Sequence, residues 1–493
     1  MSTICFKNVT FSYEGSFDTI FENLNLQIDT SWKLGLIGRN GRGKTTLLKL
    51  LTGEESGSGT IISPVACTYF PSPVRQPQLI CHELAQALCP GLEEWRLERE
   101  ISLLDMKQEV LTRPYQTLSN GERTKLLLAI LFLKENNYLL IDEPTNHLDL
   151  LARQKVADYL NKKSGFLLVS HDRVFLDSCT DHILALNRTG QELIQGNFST
   201  YWLNKKRREQ FEQTQNTKLQ KEIARLERSA AQTAAWSDRV EKTKKGQKNS
   251  GLRPDRGYLG HKSAKMMKRS LSAQQSKEKA AQEKKKLLLD VETAEELKLH
   301  PIPFAHKKLL EARDLTLFYS GRQVCGPVHF TLLFGQRLAV TGKNGCGKST
   351  LLHLLEGDTV DFDGTLFQAK GLKISTLPQD PSFLSGDLLT FAGQHGLDVP
   401  LFLAILRKLD FSREQFGKNM ADYSFGQKKK VLLAKSLCES AHLYLWDEPL
   451  NYIDLYSRMQ VERLLLEYRP TMVFVEHDAA FTEAIATQRL SLS

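Results

Sequence analysis

Residues Gly38-Arg39-Asn40-Gly41-Arg42-Gly43-Lys44-Thr45 form a glycine loop that follows the apolar run Leu34-Gly35-Leu36-Ile37 and precedes the apolar stretch Thr46–Leu51. Between a strand and a helix, the pattern G-x-x-x-x-G-K-[ST] is typical of a phosphate cradle, because glycines let backbone N–H groups converge on phosphate oxygens. The same pattern returns as Gly342-Lys343-Asn344-Gly345-Cys346-Gly347-Lys348-Ser349. The sequence therefore predicts two phosphate-binding domains in one chain.

Three further motifs repeat at nearly the same distance. Leu118–Glu122 returns as Tyr423–Gln427, Asp142–Pro144 as Asp447–Pro449, and Ser170–Asp172 as Glu476–Asp478, each 305 or 306 residues later. Repeats of this length are whole domains, since solenoid repeats span ~20–50 residues. Within each copy, strand-like runs alternate with helical stretches, which predicts an α/β fold with a mainly parallel sheet.

The segment between the copies has a helical pattern. Residues 197–245 and 261–300 contain neither Gly nor Pro, and Leu219, Ile223 and Leu226 recur at helical spacing. This predicts an antiparallel helical hairpin, with a loop where Gly and Pro concentrate. We expect a first domain at residues 1–197, a hairpin linker at 198–300 with its tip near 236–262, and a second domain at 301–493.

The net charge of +9 on the 493 residues comes from this linker. Between Lys205 and Asp290 there are 24 Lys and Arg against 10 Asp and Glu, which leaves 42 against 47 for the rest of the chain. Such a confined basic excess indicates a polyanionic partner. The longest uncharged apolar run, Leu126–Leu133, is far below the ~20 residues that cross a bilayer. The eight cysteines form no C-x-x-C pair, so we expect a cytoplasmic protein without a membrane segment.

The residue types around the two loops are suited to nucleotide hydrolysis. Lys44 and Lys348 would reach the β and γ phosphates, and the hydroxyls that follow them would bind Mg²⁺. Asp142 and Asp447 end apolar runs, where a carboxylate can hold the metal through water. The next residue in each copy, Glu143 or Glu448, is placed to polarise an attacking water.

These residues resemble ATP-binding cassette ATPases. The additional motifs are the signatures Ser119–Glu122 and Ser424–Gln427, the D-loop aspartates Asp149 and Asp454, and the switch histidines His171 and His477. In that family, two domains close face to face, and each ATP lies between the phosphate loop of one domain and the signature of the other. The resemblance implies Mg²⁺-dependent ATP hydrolysis at two composite sites.

The implied residues can be assigned to each site, with Glu143, Glu448, His171 and His477 as the catalytic set. In site one, ATP would contact Tyr13, Gly38, Asn40, Gly41, Gly43, Lys44, Thr45, Thr46, Ser424 and Gly426. In site two, it would contact Tyr319, Gly342, Asn344, Gly345, Gly347, Lys348, Ser349, Thr350, Ser119 and Gly121. The tyrosines resemble the aromatics that stack on adenine. The implied metal ligands are Thr45, Asp142, Ser349, Gln379 and Asp447.

The two sites differ at the position of the Mg²⁺-contacting glutamine. Gln379 fills it in the second domain, whereas Ser72 stands there in the first. The serine side chain is too short to reach the same distance without a water. We therefore expect site one to retain ATP longer or to hydrolyse it more slowly.

Two cassettes fused through a basic hairpin resemble the F class of the family, whose members act on ribosomes, and this resemblance covers essentially the whole chain. Residues 32–43 and 257–269 are similar to the Lsa-type antibiotic-resistance proteins. The resemblance implies a monomer that binds the large subunit, its rRNA and peptidyl-site tRNA, and that protects against lincosamides, pleuromutilins and streptogramin A. The residues that would contact the ribosome are Trp236, Lys242, Lys244, Lys245, Lys248, Arg253, Arg256, Tyr258, Lys262 and Lys265.

Three other functions remain open from the residues alone. A translation factor that relieves stalled ribosomes would have the same sites and linker. A transporter ATPase would need a transmembrane partner, and it would leave the basic hairpin unexplained. A DNA-repair or chromosome-structure ATPase also joins cassettes to coiled coils, but its coil usually interrupts one ATPase domain.

Overall fold

The computed structural model describes residues 2–13, 19–146, 148–187, 190–243, 297–319, 321–343, 345–411 and 413–492, with the single residues Lys268, Ser272, Ser276 and Lys279. The chain divides into two compact units. One unit comprises Met1–Tyr201 and Ala294–Ser493, and the other comprises Trp202–Thr293.

The first repeat contains nine strands within the residues described. They are β1 (Thr3–Phe11), β2 (Phe21–Asp29), β3 (Lys33–Gly38), β4 (Ser58–Ile62), β5 (Ala66–Phe70), β6 (Asn137–Asp142), β7 (Phe166–Val169), β8 (His182–Asn187) and β9 (Gly190–Gln195). Strands β2-β1-β4 form an antiparallel sheet, and β5-β6-β7-β3-β8-β9 form a second sheet. In the second sheet only β9 pairs antiparallel.

The helices of the first repeat are α1 (Lys44–Thr52), α2 (Cys81–Leu88), α3 (Glu94–Leu103), α4 (Asn120–Phe132), α5 (Leu150–Asn161) and α6 (Arg173–Cys179), with short 3-10 turns at Gln108–Thr112 and Tyr115–Thr117. Of these, α1 and α4 pack on this six-stranded sheet, while α2 and α3 pack against α4. The central strands are apolar on both faces, as parallel strands between two layers must be. Leu34, Leu36, Leu140 and Leu167 are fully buried. They form one core with the α1 residues Leu47 and Leu48.

The linker begins with α7 (Phe198–Thr243), which agrees with the helix expected over residues 197–245. Of the second expected helix the structure describes only Lys268, Ser272, Ser276 and Lys279, all helical, and residues 297–300. The hairpin pairing and residues 244–262 of the expected tip lie outside the described residues, whereas residues 236–243 of that tip belong to α7 by their backbone. In the described part of the chain, no helix combines the length and the low charge that crossing a bilayer requires.

The second repeat has the same order of elements, except that its described residues contain no counterpart of β9. Its strands are β10 (Lys308–Tyr319), β11 (Arg322–Leu333), β12 (Arg337–Gly342), β13 (Asp361–Gln368), β14 (Ile374–Leu377), β15 (Leu443–Asp447), β16 (Met472–Val475) and β17 (Gln488–Leu492). Its helices are α8 (Lys348–Glu356), α9 (Leu388–Gln394), α10 (Val399–Lys408), α11 (Phe425–Cys438), α12 (Leu455–Tyr468) and α13 (Ala479–Ile485), with 3-10 turns at Arg413–Gly417 and Met420–Asp422.

Topology places the functional loops of each repeat at one edge. Strands β14-β15-β16-β12-β17 form a parallel sheet, and β11-β10-β13 form an antiparallel one. Because parallel strands end at the same edge, the glycine loops after β3 and β12 lie beside the carboxylates that end β6 and β15. Asp142 pairs in register with Val169, and Asp447 with Val475.

Candidate functional site

Each glycine loop folds as a tight turn into a helix. Gly43 and Gly347 precede α1 and α8 in the left-handed conformation, both with φ of 86°. A Cβ on Gly43 would lie 2.6 Å from Ile20 Cγ2 and 2.8 Å from Phe21 Cζ, so no other residue fits there. The amino groups of the following lysines fold back over the loop. Lys44 Nζ donates to the carbonyl of Gly38 at 2.7 Å, and Lys348 Nζ donates to that of Gly342 at 2.9 Å.

The carboxylates lie at the ends of β6 and β15. Glu143 and Glu448 both have positive φ, at 49° and 46°, which turns the chain sharply after each strand. The backbone N–H of Glu143 donates to the Val169 carbonyl at 2.9 Å, and that of Glu448 donates to Val475 at 3.0 Å. Each strand end is thereby anchored to its neighbour, so that the glutamate faces the glycine loop.

A switch histidine stands beside each glutamate. His171 Nε2 lies 3.4 Å from Glu143 Oε1, and His477 Nε2 lies 3.4 Å from Glu448 Oε1. All four side chains are at most one-fifth exposed. The two repeats thus build the same glutamate–histidine pair, which can orient a water and accept its proton.

Among the residues that the structure describes, Glu143 Oε1 and Asp447 Oδ1 are buried carboxylate oxygens that accept no hydrogen bond; the 3.4 Å approach of His171 Nε2 to Glu143 Oε1 is an ion-pair contact. Asp142 Oδ2 accepts a hydrogen bond from the Tyr69 hydroxyl at 2.8 Å, and the Ser349 hydroxyl bonds Asp447. A buried carboxylate without a donor is costly unless a cation or water completes it. Hard oxygen donors of this kind fit Mg²⁺.

The first of two large cavities joins the glycine loop of the first repeat to the signature of the second, and its volume is about 970 Å³. Ser424 caps α11 through a capping box with Gln427, and both residues line the cavity at the N-terminus of that helix. Of the residues assigned to site one, those that line it are Tyr13, Asn40, Gly41, Gly43, Lys44, Thr45, Thr46, Glu143, His171, Ser424 and Gly426.

The second cavity joins the glycine loop of the second repeat to the signature of the first, and its volume is about 830 Å³. Ser119 caps α4 with Glu122 in the same way. Of the residues assigned to site two, those that line it are Ser119, Gly121, Tyr319, Gly345, Gly347, Lys348, Ser349, Thr350, Gln379, Glu448 and His477. Gly38, Asp142, Gly342 and Asp447 lie at the adjoining loop starts and strand ends, outside the linings. Asn344 lies outside the described residues.

Tyr13 lines the first cavity and Tyr319 lines the second. Tyr13 packs edge-on against Phe11, and its hydroxyl lies 3.1 Å from Thr46 Oγ1. Tyr13 is 38% exposed and Tyr319 is 69% exposed. Their aromatic faces are thus open for stacking, the more so at site two.

The glutamate environments differ between the cavities. Burial, with the charge of Asp142 beside it, raises the pKa of Glu143 to about 8. Burial also acts to raise the pKa of Glu448, but hydrogen bonds from His477 and Gln379 outweigh it and lower that pKa below its usual range. Burial, together with the positive charge of Lys44, lowers the pKa of His171. Cavity one therefore favours the neutral form of its glutamate, whereas cavity two favours the charged form.

The difference arises at the glutamine position. Gln379 lines cavity two and bonds Glu448. Ser72 is not in the lining of cavity one, and its hydroxyl donates to the Tyr69 carbonyl at 2.8 Å. In the first repeat a carboxylate is contacted by Tyr69 rather than by Ser72, because the Tyr69 hydroxyl donates to Asp142. The unequal rates that we expect from Ser72 stay a prediction.

Sequence reasoning missed several residues of both cavities. Arg407, Asp410, Phe411 and Gln415 of the second repeat line cavity one, and Arg39 Nη1 of the first glycine loop donates to Asp410 Oδ2 at 2.5 Å. One signal was present in the sequence, since Leu104-Asp105 and Leu409-Asp410 recur at the 305-residue offset. Cavity two likewise contains Lys125 and Arg153, which sequence reasoning missed, together with the D-loop aspartate Asp149.

The predicted ribosome contacts fall mostly outside the described residues. Trp236 and Lys242 belong to α7 by their backbone. The others lie outside the described part: Lys244, Lys245, Lys248, Arg253, Arg256, Tyr258, Lys262 and Lys265.

Comparison with known proteins gives a consistent result. The family model described as ABC transporter matches residues 21–146 and 325–451. The chain is 28% identical to the ribosome protection protein VmlR of Bacillus subtilis, over 98% of this chain and 85% of that protein. It is 27% identical to the ATP-binding protein Uup of Caulobacter vibrioides, over 96% and 74%. The archaeal ribosome recycling factor aABCE1, solved with ribosomal stalk protein aP1, superposes with a TM-score of 0.63 at 17% identity, over 98% and 87%.

Proposed function

The chain belongs to the ABC transporter family, and from this premise we propose that its ATPase domains drive binding to the large ribosomal subunit. The predicted pair of tandem α/β ATPase domains is confirmed, as is the resemblance to the F class. The observation that carries the proposal is the likeness to a ribosome protection protein, because it extends over 98% of this chain and so includes the basic linker.

The protein is an ATPase, and we propose that ATP lies in the two cavities with the contacts assigned from the sequence. Support comes from the geometry, which brings each glycine loop opposite the signature of the other repeat. Lys44 and Lys348 would turn from the loop carbonyls to the phosphates. Glu143 and Glu448 would accept the proton of the attacking water, and the histidines would hold it in line.

We further propose a Mg²⁺ ion in each site. Its ligands would be Thr45 and Asp142 in site one, and Ser349, Gln379 and Asp447 in site two. The unpartnered Asp447 Oδ1, one of these ligands, supports a cation in site two, and the unpartnered Glu143 Oε1 follows the ligand Asp142 in site one. The ion would supply charge neutralisation for the phosphates.

The basic linker is the part of the chain that would contact the ribosome. Its excess of Lys and Arg suits an electrostatic grip on rRNA phosphates, and Trp236 or Tyr258 could stack on a base. In the ATP-loaded form, the linker would extend toward the peptidyl-transferase centre and free a bound lincosamide, pleuromutilin or streptogramin A. The second candidate is an F-class translation factor that relieves stalled ribosomes without conferring resistance. The likeness to Uup is compatible with this candidate, because the name of that protein states ATP binding and no resistance role.

The ribosomal step is tested with Glu143→Gln combined with Glu448→Gln. This form should bind ATP without hydrolysing it and cosediment with ribosomes in ATP but not in ADP. The control is Lys44→Ala combined with Lys348→Ala, which should stay in the supernatant because it cannot hold the phosphates. If the double-glutamine form does not cosediment with ribosomes in ATP, the proposal is refuted.

The resistance step needs its own test. Expression in a susceptible host should raise the inhibitory concentration of the three drug classes, and the Lys44→Ala and Lys348→Ala form should not. Ribosome binding without any rise in drug tolerance would favour the translation factor.

A further inference from the structure

We propose that Arg153 is a positioning residue that couples ATP hydrolysis at one site to hydrolysis at the other, because its guanidinium holds the switch loops of both sites. The switch loops are residues 170–172 and 476–478, which carry His171 of site one and His477 of site two. This proposal goes beyond the ribosomal task, since it concerns the ATPase cycle of the chain without ribosomes.

Arg153 lies on α5, one turn after the D-loop aspartate Asp149. Its Nε donates to the Leu148 carbonyl at 3.0 Å, and its Nη1 donates to Asp172 Oδ2 at 2.9 Å. The same Nη1 donates to the backbone carbonyl of His477, 3.1 Å away in the second repeat. One side chain therefore contacts the D-loop and switch loop of its own repeat and the switch loop of the other.

The surroundings favour a strong bridge. Only 10% of the Arg153 side chain and 6% of the Asp172 side chain are exposed. A hydrogen bond between charged groups is stronger than one between neutral groups, and a poorly solvated position increases its strength. The planar guanidinium presents several N–H groups in fixed directions, whereas a lysine ammonium acts as a point charge. An arginine can thus hold these three acceptors together.

The bridge connects to the reacting groups on both sides. Asp172 follows His171, whose Nε2 lies 3.4 Å from Glu143 Oε1. His477 bonds Arg153 through its carbonyl, and its Nε2 lies 3.4 Å from Glu448 Oε1. A shift of either switch loop changes the bonds of the shared guanidinium, so the other histidine must respond.

The second repeat offers a matched side chain without the bridge. Arg458 Nε donates to the Ile453 carbonyl at 2.9 Å, and Nη1 lies 3.5 Å from Asp478 Oδ2. These contacts correspond to those of Arg153 with Leu148 and Asp172. No hydrogen bond between described residues joins Arg458 to the carbonyl of His171. Arg458 therefore reproduces the contacts within a repeat and makes no such hydrogen bond between the described residues of the two repeats, while its positive charge, which a lysine would keep, still acts on Glu143 and His171 of the first repeat.

The test is Arg153→Lys, which keeps a positive charge for Asp172 but cannot reach three acceptors at once, with Arg458→Lys as the control. Each change is combined with Glu143→Gln, which leaves only site two able to hydrolyse, and with Glu448→Gln, which leaves only site one. Phosphate release by the full chain is measured in saturating Mg²⁺-ATP without ribosomes. The turnover with both glutamates present is divided by the summed turnovers of the two single-glutamine forms, so that independent sites give a ratio of one.

We expect a ratio of about 5 or more in the natural chain and in Arg458→Lys, which is the lower end of the ~5–150-fold range of coupling between sites. In Arg153→Lys the ratio should fall to one. Thermal unfolding should change similarly in both lysine variants, because each arginine donates to its own D-loop carbonyl and forms an ion pair with the aspartate of its own switch loop. A ratio of one in the natural chain, an unchanged ratio in Arg153→Lys, or an equal fall in both variants would overturn the proposal.

Discussion

Replacing Glu143 with glutamine should stabilise the nucleotide-free fold, and the gain should grow with pH. Burial raises the pKa of this carboxyl from 4.5 to about 8, so the folded chain binds the proton more tightly than the unfolded chain does. Between these two pKa values, stability therefore falls as pH rises, because the folded state must then hold a buried charge. Glutamine is neutral and of similar size, and it removes this dependence.

The magnitude follows from the pKa difference. A difference of about 3.5 corresponds to ~4.8 kcal/mol at ~1.36 kcal/mol per pKa unit. Solvent reaches 19% of the Glu143 side chain, so we take about half of this value, ~2 kcal/mol, as the expected gain above pH 8. For a domain of roughly 200 residues, this gain would raise the unfolding midpoint by about 4–8 °C. Below pH 4.5 the gain should vanish, because the carboxyl is then protonated in both states.

Thermal unfolding of the full chain provides the assay, recorded between pH 5 and 9 with a chelator and without nucleotide. The matched control is Glu448→Gln. The pKa of Glu448 is lowered by the hydrogen bonds from His477 and Gln379, so its replacement removes a favoured carboxylate and should give no gain. An equal rise in both variants at pH 9, or no rise in Glu143→Gln, would refute the reasoning.

Three further outcomes are expected. Single-turnover hydrolysis should be slower in Glu448→Gln, where site one works alone, than in Glu143→Gln, because Ser72 stands at the glutamine position of site one; equal rates would contradict this. Gly426→Ala places a Cβ 2.7 Å from the Tyr452 carbonyl and should cost about 1–3 kcal/mol by overpacking. Gly121→Ala meets only Leu148 Cδ2 at 3.4 Å and should unfold like the natural chain, so a comparable destabilisation in both would argue against the cause given. Changing Lys244, Lys245 and Lys248 to glutamine should weaken ribosome binding and lower its salt slope by about 2–3, because each lysine that neutralises a phosphate adds ~0.7–0.9 to that slope. An unchanged slope would place the acting charges elsewhere.

Local motifs explain why much of the fold was predictable. The glycine loops, the carboxylates after β6 and β15, and the start of α7 each depend on residues that are neighbours in the chain, such as Gly43 before α1 and Asp142 at the end of β6. Hydrophobic runs and glycine positions report such local structure directly. The signatures Ser119–Glu122 and Ser424–Gln427 were recognisable for the same reason, since a capping box is a four-residue pattern.

Contacts between the repeats were not predictable in this way. Arg39 meets Asp410 across 371 residues, and Arg153 meets His477 across 324. Arg153 belongs to no motif, and the glycine-loop motif that contains Arg39 does not specify its partner, so each partner is chosen by the packing of one repeat against the other. The burial that separates the pKa of Glu143 from that of Glu448 is likewise a property of the packed state.

The amino-acid sequence alone determined that this protein has two ATPase domains of one type, a basic linker between them and the chemical groups for hydrolysis, because those features are written in short spacings and in charge. The tertiary structure alone decided that Arg153 spans both switch loops and that the two glutamates differ in charge state. Both depend on which distant side chains share a poorly solvated space, and the strength of an electrostatic interaction there is set by distance and solvent exclusion rather than by residue type.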